Sequence, residues 1–174
     1  MTEFVYLHGF ASGPSSKKAT AFKNKFKEIG VSLNTPDLEG GNFENMTLTS
    51  QVNIVLDLLD QFQCKKVCLI GSSMGGYLAT LVAQRRVEIK ATYLMAPGFN
   101  FLERWMRSLK LDCDDETCWE PKIQVFHYRY DETKYIRTDI FKDAKNWRSL
   151  GLKREVPSRI VHGIHDEVVP IDES

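Results

Sequence analysis

The feature that most constrains this sequence is a serine held between glycines. The run KKVCLI is rich in strand-forming residues and ends at Gly71, and the run YLATLVAQRR, from Tyr77, has the character of a helix. Between them lies G-x-S-x-G, read as Gly71-Ser72-Ser73-Met74-Gly75. The spacing has a mechanical reason. A serine on a sharp strand-to-helix turn is held in a strained backbone conformation that projects its Oγ out of the sheet. Neighbours two residues away crowd that turn, so positions 71 and 75 need residues without a side chain. The turn also aims a helix N-terminus at negative charge developing beside the serine. Ser73 is therefore a candidate nucleophile. The bland alternative is a glycine-rich turn without chemistry. A phosphate-binding loop is disfavoured, because no GxxxxGK[ST] pattern is present.

Apolar strand-like runs alternate with helical ones along the rest of the chain. EFVYL before His8, VSLNT before Pro36, KATYLMA before Pro97-Gly98 and SRIVH before Gly163 are the other candidate strands, VSLNT the weakest. One helix, capped by Ser15 or Ser16, carries Ala19, Phe22, Phe26 and Ile29 on a stripe and stops at Gly30. A second runs from about Thr49 to Phe62, with Val52, Val55, Leu56 and Leu59 at helical spacing. A third follows Ser73 and carries Leu78, Leu81 and Val82. Short buried strands alternating with helices predict an α/β domain with a mostly parallel sheet and helices on both faces. The length of 174 residues suits a single domain spanning 1–174.

The stretch from about 99 to 147 breaks the alternation. NFLERWMRSL predicts a helix, IQVFHYRYDETKYI two short strands about a turn at Asp131-Glu132, and DIFKDAKNW another helix. An excursion before the last sheet strand is where a cap would sit. Its residues Phe101, Trp105 and Met106 are candidates to line an acyl pocket; packing of the cap on the sheet is the competing use, and one residue can serve both.

Charge removes some function classes. With 23 basic and 23 acidic residues the formal net charge is zero, so no strong field draws phosphate backbones or acidic membranes, and a nucleic-acid partner is not expected. The pairs Lys17-Lys18 and Arg85-Arg86 read as solvated helix faces rather than anion sites. No apolar run approaches the roughly 20 residues of a membrane span, and no signal-peptide pattern is visible, so a cytoplasmic protein is expected. The cysteines are Cys64, Cys68, Cys113 and Cys118. Their spacing matches no zinc signature and no histidine lies near to complete one, so no metal is expected. Cys113 and Cys118 could close a loop disulfide, but free thiols fit a cytosolic chain better.

Two further motifs bear on the serine. His8-Gly9-Phe10 follows the first strand, and the loop there should supply a second oxyanion donor, assigned to the Phe10 N–H beside the Met74 N–H. HGIHDEVVP follows SRIV, and its strand end presents Asp166, with Glu167 as the fallback, as an acid able to orient a histidine. His8 lies in the oxyanion loop and reads as a structural brace. His162 and His165 neighbour the acid on its own loop and are poorly placed to reach between it and the serine. His127 falls in the cap.

HGF after the first strand, GSSMGG after the third and HGxxDxxVP after the fifth, in that order, resemble the α/β-hydrolase superfamily. The opening HGFASGPSSK, His8 to Lys17, and the small size resemble its compact YqiA/YcfP-like bacterial esterases. The resemblance implies a serine hydrolase acting on a small carboxylic ester or thioester through Ser73, with Asp166 as acid, Phe10 and Met74 as oxyanion donors and no cofactor. In that family the catalytic histidine follows the acid after another helix and strand. No histidine follows Asp166 before Ser174, so the base, with the last strand and helix, is expected outside these residues. Two alternatives stay open: a catalytically silent domain serving as a binding module, and acyl transfer or peptide hydrolysis on the same machinery.

Overall fold

The computed structural model describes residues 2–63, 66–111, 119–148 and 151–174. In chain order it forms β1 (Glu3–Leu7), α1 (Lys17–Glu28), α2 (Leu48–Asp60), β2 (Val67–Ser72), α3 (Met74–Arg85), β3 (Ile89–Met95), α4 (Phe101–Ser108), β4 (Lys122–His127), β5 (Glu132–Arg137), α5 (Asp139–Arg148) and β6 (Ser158–Val161). The four central strands pair in parallel in the order β1-β2-β3-β6. Their C-terminal ends therefore share one edge of the sheet, and the register aligns Leu7 with Gly71 and Gly71 with Leu94.

Alternation along the strands divides the core. Val5, Leu7, Val67, Leu69 and Leu94 belong to the larger apolar cluster, with α2 and α3. Tyr6 and Ile70, with Phe4, Tyr93 and Met95 beside them, face the other way and pack with Ala19, Phe22 and Phe26 of α1. Helices thus cover both faces. α1 begins where Ser16 accepts the Ala19 N–H, and α2 begins with a capping box between Thr47 and Ser50.

VSLNT does not form a strand. Only Asn34 bridges to Val5, with Tyr6 N–H donating to its carbonyl at 2.8 Å and its own N–H donating to Phe4 at 2.9 Å. Ser32 and Asn34 are poor strand formers, and Pro36, which has no N–H to donate, ends the run two residues later. The pair Arg85-Arg86 is also not a plain solvated face. Arg86 pairs with Asp60 and Glu88, both at 2.6 Å, and the Arg85 guanidinium lies 4.0 Å from the centre of the Trp147 ring. Cys64, Cys113 and Cys118 lie outside the described residues, so the loop-disulfide expectation does too; Cys68 is a free thiol on β2.

Between β3 and β6 the chain makes α4, an antiparallel β4–β5 hairpin and α5. This excursion is clamped at two places. Asp143 of α5 accepts the Thr49 N–H at the start of α2 at 2.8 Å, and Thr49 Oγ1 in turn accepts from the Trp147 indole. At the hairpin, His127 bonds Glu39 at 2.5 Å with both side chains buried, Arg129 pairs with Asp37 at 2.6 Å, and Tyr128 N–H donates to the Ala11 carbonyl. Among the described residues, no helix is long and apolar enough to cross a membrane.

Candidate active site

Ser73 stands between β2 and α3 with φ 54° and ψ −123°, a conformation that a residue with a side chain rarely adopts. Neighbouring backbone holds it there. Its N–H donates to the Met95 carbonyl at 2.9 Å, and its carbonyl accepts from Gly76 and Gly98. The glycines are sterically required. A Cβ on Gly71 would sit 2.4 Å from the Gly75 carbonyl oxygen, and one on Gly75 would sit 2.2 Å from that of Leu7. The helix thus starts hard against the end of β1, which only bare backbone permits.

That approach brings the HGF loop to the serine. A Cβ built on Gly9 would lie 3.4 Å from the Ser73 Cβ. Among the described residues, neither the Phe10 nor the Met74 N–H makes a hydrogen bond, so two donors remain available beside the serine. The Phe10 ring anchors its loop to α4, 5.3 Å from Phe101 and 5.0 Å from Trp105, centre to centre.

His8 braces this loop from beneath. It is buried, its Nε2 accepts the Leu38 N–H at 3.2 Å, and its Nδ1 is bonded to the Gly9 carbonyl at 2.9 Å. Both bonds together require the neutral ring with its proton on Nδ1. Burial pushes its pKa down, which keeps the ring neutral.

Asp166 lies on the turn after β6, where its N–H donates to Gly163 at 3.1 Å. Its Oδ1 accepts the N–H groups of Val169 and Val168, both at 2.9 Å, and these bonds hold the carboxyl below its ordinary pKa. His162 Nε2 is 4.0 Å from the other carboxylate oxygen but hydrogen-bonds the Val169 carbonyl at 2.8 Å. Its Nδ1 contacts Ser174 Oγ. Both nitrogens of His127 are also engaged, by Glu39 and by the Arg129 N–H. His165 is exposed on the same turn as the acid.

A cavity of about 750 Å³ opens over Ser73. Phe10, Phe101 and Trp105 form part of its wall, and Phe126 and Tyr128 of the hairpin add to it. Met106 is not there. It lines a separate cavity of about 350 Å³ with Tyr77, Phe99 and Phe141. Phe101 and Trp105 are four residues apart and share a face of α4, whereas Met106 is rotated onto the face of Leu102. Helical spacing alone could have separated them. The hairpin residues and Lys17 and Lys18, which also line the cavity over Ser73, were missed as site residues. Among the described residues, no group of three or more His, Cys, Asp or Glu side chains gathers to hold a metal ion.

Known proteins share this fold. The chain superposes on Est1E from Butyrivibrio proteoclasticus, solved with ferulic acid bound, with a TM-score of 0.80 over 99% of this chain and 73% of that one, at 22% identity. On mouse alpha/beta hydrolase domain-containing protein 10 the score is 0.78, over 98% and 72%, again at 22% identity. In sequence it is 27% identical over 176 residues to the rat palmitoyl-protein thioesterase ABHD10, mitochondrial, covering 95% of this chain and 59% of the relative. It is 38% identical over 104 residues to a Mycoplasma pneumoniae protein that carries an esterase/lipase name, covering 54% of this chain and 37% of the relative. The chain thus spans well under two thirds of these curated relatives. The architecture is the α/β-hydrolase fold, and because residues 3–174 match the family described as Uncharacterised protein family (UPF0227), the chain belongs to that YqiA/YcfP-like family of α/β-hydrolases.

Proposed function

We propose that the protein is a serine hydrolase that cleaves a carboxylic ester or thioester of a small molecule through an acyl-enzyme on Ser73. One observation carries the reading: a serine strained to φ 54° at a strand–helix turn, with two unengaged N–H donors next to it. Ser73 Oγ attacks the acyl carbon, and the carbonyl oxygen takes the negative charge into the Phe10 and Met74 N–H groups. The serine proton passes to an imidazole and then to the leaving alcohol or thiol. Water, deprotonated by the same imidazole, releases the acid. Asp166 orients that imidazole. His8, His127 and His162 have both ring nitrogens engaged elsewhere, and His165 shares the turn of the acid, so the reading assigns the base to none of these four. The excursion over the sheet acts as a cap, and Phe101 and Trp105 receive the acyl group. The thioesterase among the relatives and the ferulic acid bound to Est1E support an acyl substrate.

The test is a fluorophosphonate probe mapped by mass spectrometry, joined to hydrolysis of p-nitrophenyl esters by the full-length protein. Labelling should fall on Ser73, and Ser73→Ala should lower the rate on the order of 10⁶-fold while the fold survives. Retention of most activity by Ser73→Ala would refute the nucleophile. Absence of labelling would favour the silent binding module instead.

A further inference from the structure

The cavity over Ser73 has two unlike walls. One is aromatic, built by Phe10, Phe101, Trp105, Phe126 and Tyr128; the other is polar, built where α1 begins, by Ser12, Ser16, Lys17 and Lys18. Among the described residues, no aspartate or glutamate lines this cavity. Among the described residues, neither lysine forms an ion pair with a carboxylate, and the Lys17 ammonium makes no hydrogen bond. Lys18 is held in place: its Nζ donates to Ser72 Oγ at 3.2 Å. Ser72 is buried and is the residue before the nucleophile, and Ser16 and the buried Tyr6 line the same wall. The Ser72 hydroxyl therefore holds an ammonium one residue from Ser73, with a second ammonium on the next residue; the Asp166 carboxylate feels the Lys18 charge but makes no ion pair with it.

We propose that this wall is an anion subsite, and that the hydrolase takes esters or thioesters whose leaving group carries a negative charge, a carboxylate, sulfonate or phosphate, close to the scissile bond. The inference rests on the reading of Ser73 as nucleophile. The acyl group belongs against the aromatic wall, where burial of apolar surface favours it. The charged leaving group then falls to the opposite wall, where Lys18 and Lys17 meet it and the serine and tyrosine hydroxyls complete its hydrogen bonds. Such a subsite stabilises the substrate and the departing anion alike.

Two experiments test it. The first needs no hydrolysis. The Ser73→Ala protein is titrated with 3-nitrobenzoate and with 3-nitrobenzamide, which share shape and differ in charge, by ligand-observed NMR at low salt. The anion should bind about five- to tenfold tighter. The gap should shrink towards unity by 1 M NaCl, where the Debye length falls from about 10 Å (at 0.1 M) to about 3 Å. Lys18→Met should close most of it, and Lys18→Arg should keep it. Equal binding of the two compounds, or a gap that survives Lys18→Met with Lys17→Met, overturns the subsite. The second compares kcat/KM of the full-length protein for 4-butyryloxy-3-nitrobenzoate, 4-nitrophenyl butyrate and 4-nitrophenyl hydrogen succinate. The first should exceed the second, and their ratio should fall about tenfold in Lys18→Met. Preference for the succinate, with its charge on the acyl side, overturns the orientation. Discrimination in binding with no hydrolysis of any ester would leave the subsite standing and sink the hydrolase reading.

Discussion

Gly75→Ala isolates the close approach that builds the elbow. The added methyl carbon would lie 2.2 Å from the Leu7 carbonyl oxygen and 2.5 Å from that of His8, where ordinary contact begins near 3.4 Å. One side must retreat by about 1 Å, and both sides are backbone. Leu7 is paired with Gly71 in the parallel ladder, so moving it disturbs the sheet; moving α3 instead drags Ser73 and the Met74 N–H away from their positions. Overpacking of a core costs about 1–3 kcal/mol, and rigid atoms on both sides place this case near the upper end. For a chain of this length about 3 kcal/mol corresponds to a melting temperature lower by roughly 6–12 °C, out of a total stability of about 5–15 kcal/mol for a typical domain. Gly163→Ala is the control, because its methyl would meet nothing within 4 Å and its backbone is not left-handed; it should melt within about 2 °C of the parent. Thermal unfolding by circular dichroism reads both, and fluorophosphonate labelling of Ser73 reads the oxyanion geometry. A Gly75→Ala protein that melts with the parent and labels at the parent rate would refute the steric account.

Two more outcomes are expected. Trp105→Ala should shift the preferred acyl length and chiefly raise KM, because Trp105 lines the cavity over Ser73; Met106→Ala, on the other cavity, should lower the melting temperature while leaving the acyl-length profile in place, and identical profiles for all three proteins would count against the aromatic wall. Acidification should destabilise the fold from about pH 6.5 downward. His8 is held neutral, its folded pKa lying below its ordinary value of 6.5, so its contribution is present above that pH and is lost as pH falls through the folded value. His8→Gln, which can keep one donor and one acceptor, should flatten the slope of melting temperature between pH 6.5 and 5, and an unchanged slope would remove His8 from the account. Burial raises the Glu39 carboxyl, which works in the opposite sense, while Asp166 is held low and loses its contribution only below about pH 4.

The elements readable from the sequence were those whose cause is local. The elbow declares itself because Gly71 and Gly75 answer contacts made within a few residues and with the preceding strand. The helices begin at Ser16 and Thr47, where side chains cap free N–H groups; of the stripe on α1, Ala19, Phe22 and Phe26 meet the sheet, whereas Ile29, at the helix end, is exposed. What stayed hidden depends on distant parts of the chain. His127 meets Glu39 across 88 positions, and nothing near either residue announces the other. The hairpin's alternating pattern gives two strands, but only its clamp to residues 37–39 and to Ala11 turns Phe126 and Tyr128 towards the serine's cavity. VSLNT failed as a strand for a local reason that its composition already carried, since Pro36 and two polar residues leave room for one bridge only.

Charge illustrates the same divide on a finer scale. A formal net charge of zero argues against a partner that responds to the field of the whole molecule, such as a nucleic-acid backbone, because that field extends over many Debye lengths of surface. It says nothing about a field a few ångströms across. Twenty-three acidic residues cancel the lysines and arginines in sum, but among the described residues no carboxylate lines the cavity over Ser73, where Lys17 and Lys18 do. Arg86 and Arg129 are answered by carboxylates at 2.6 Å, whereas the ammonium of Lys18 is answered by a serine hydroxyl. The same two residue types that read as solvated helix faces thus divide once folded, one pair spent on structural ion pairing and ring stacking, the other left facing the place where an ester would break. Which pair remains chemically available is decided by where α1 starts: Ser16 caps the helix, the cap sets Lys18 over Ser72, and Ser72 adjoins Ser73.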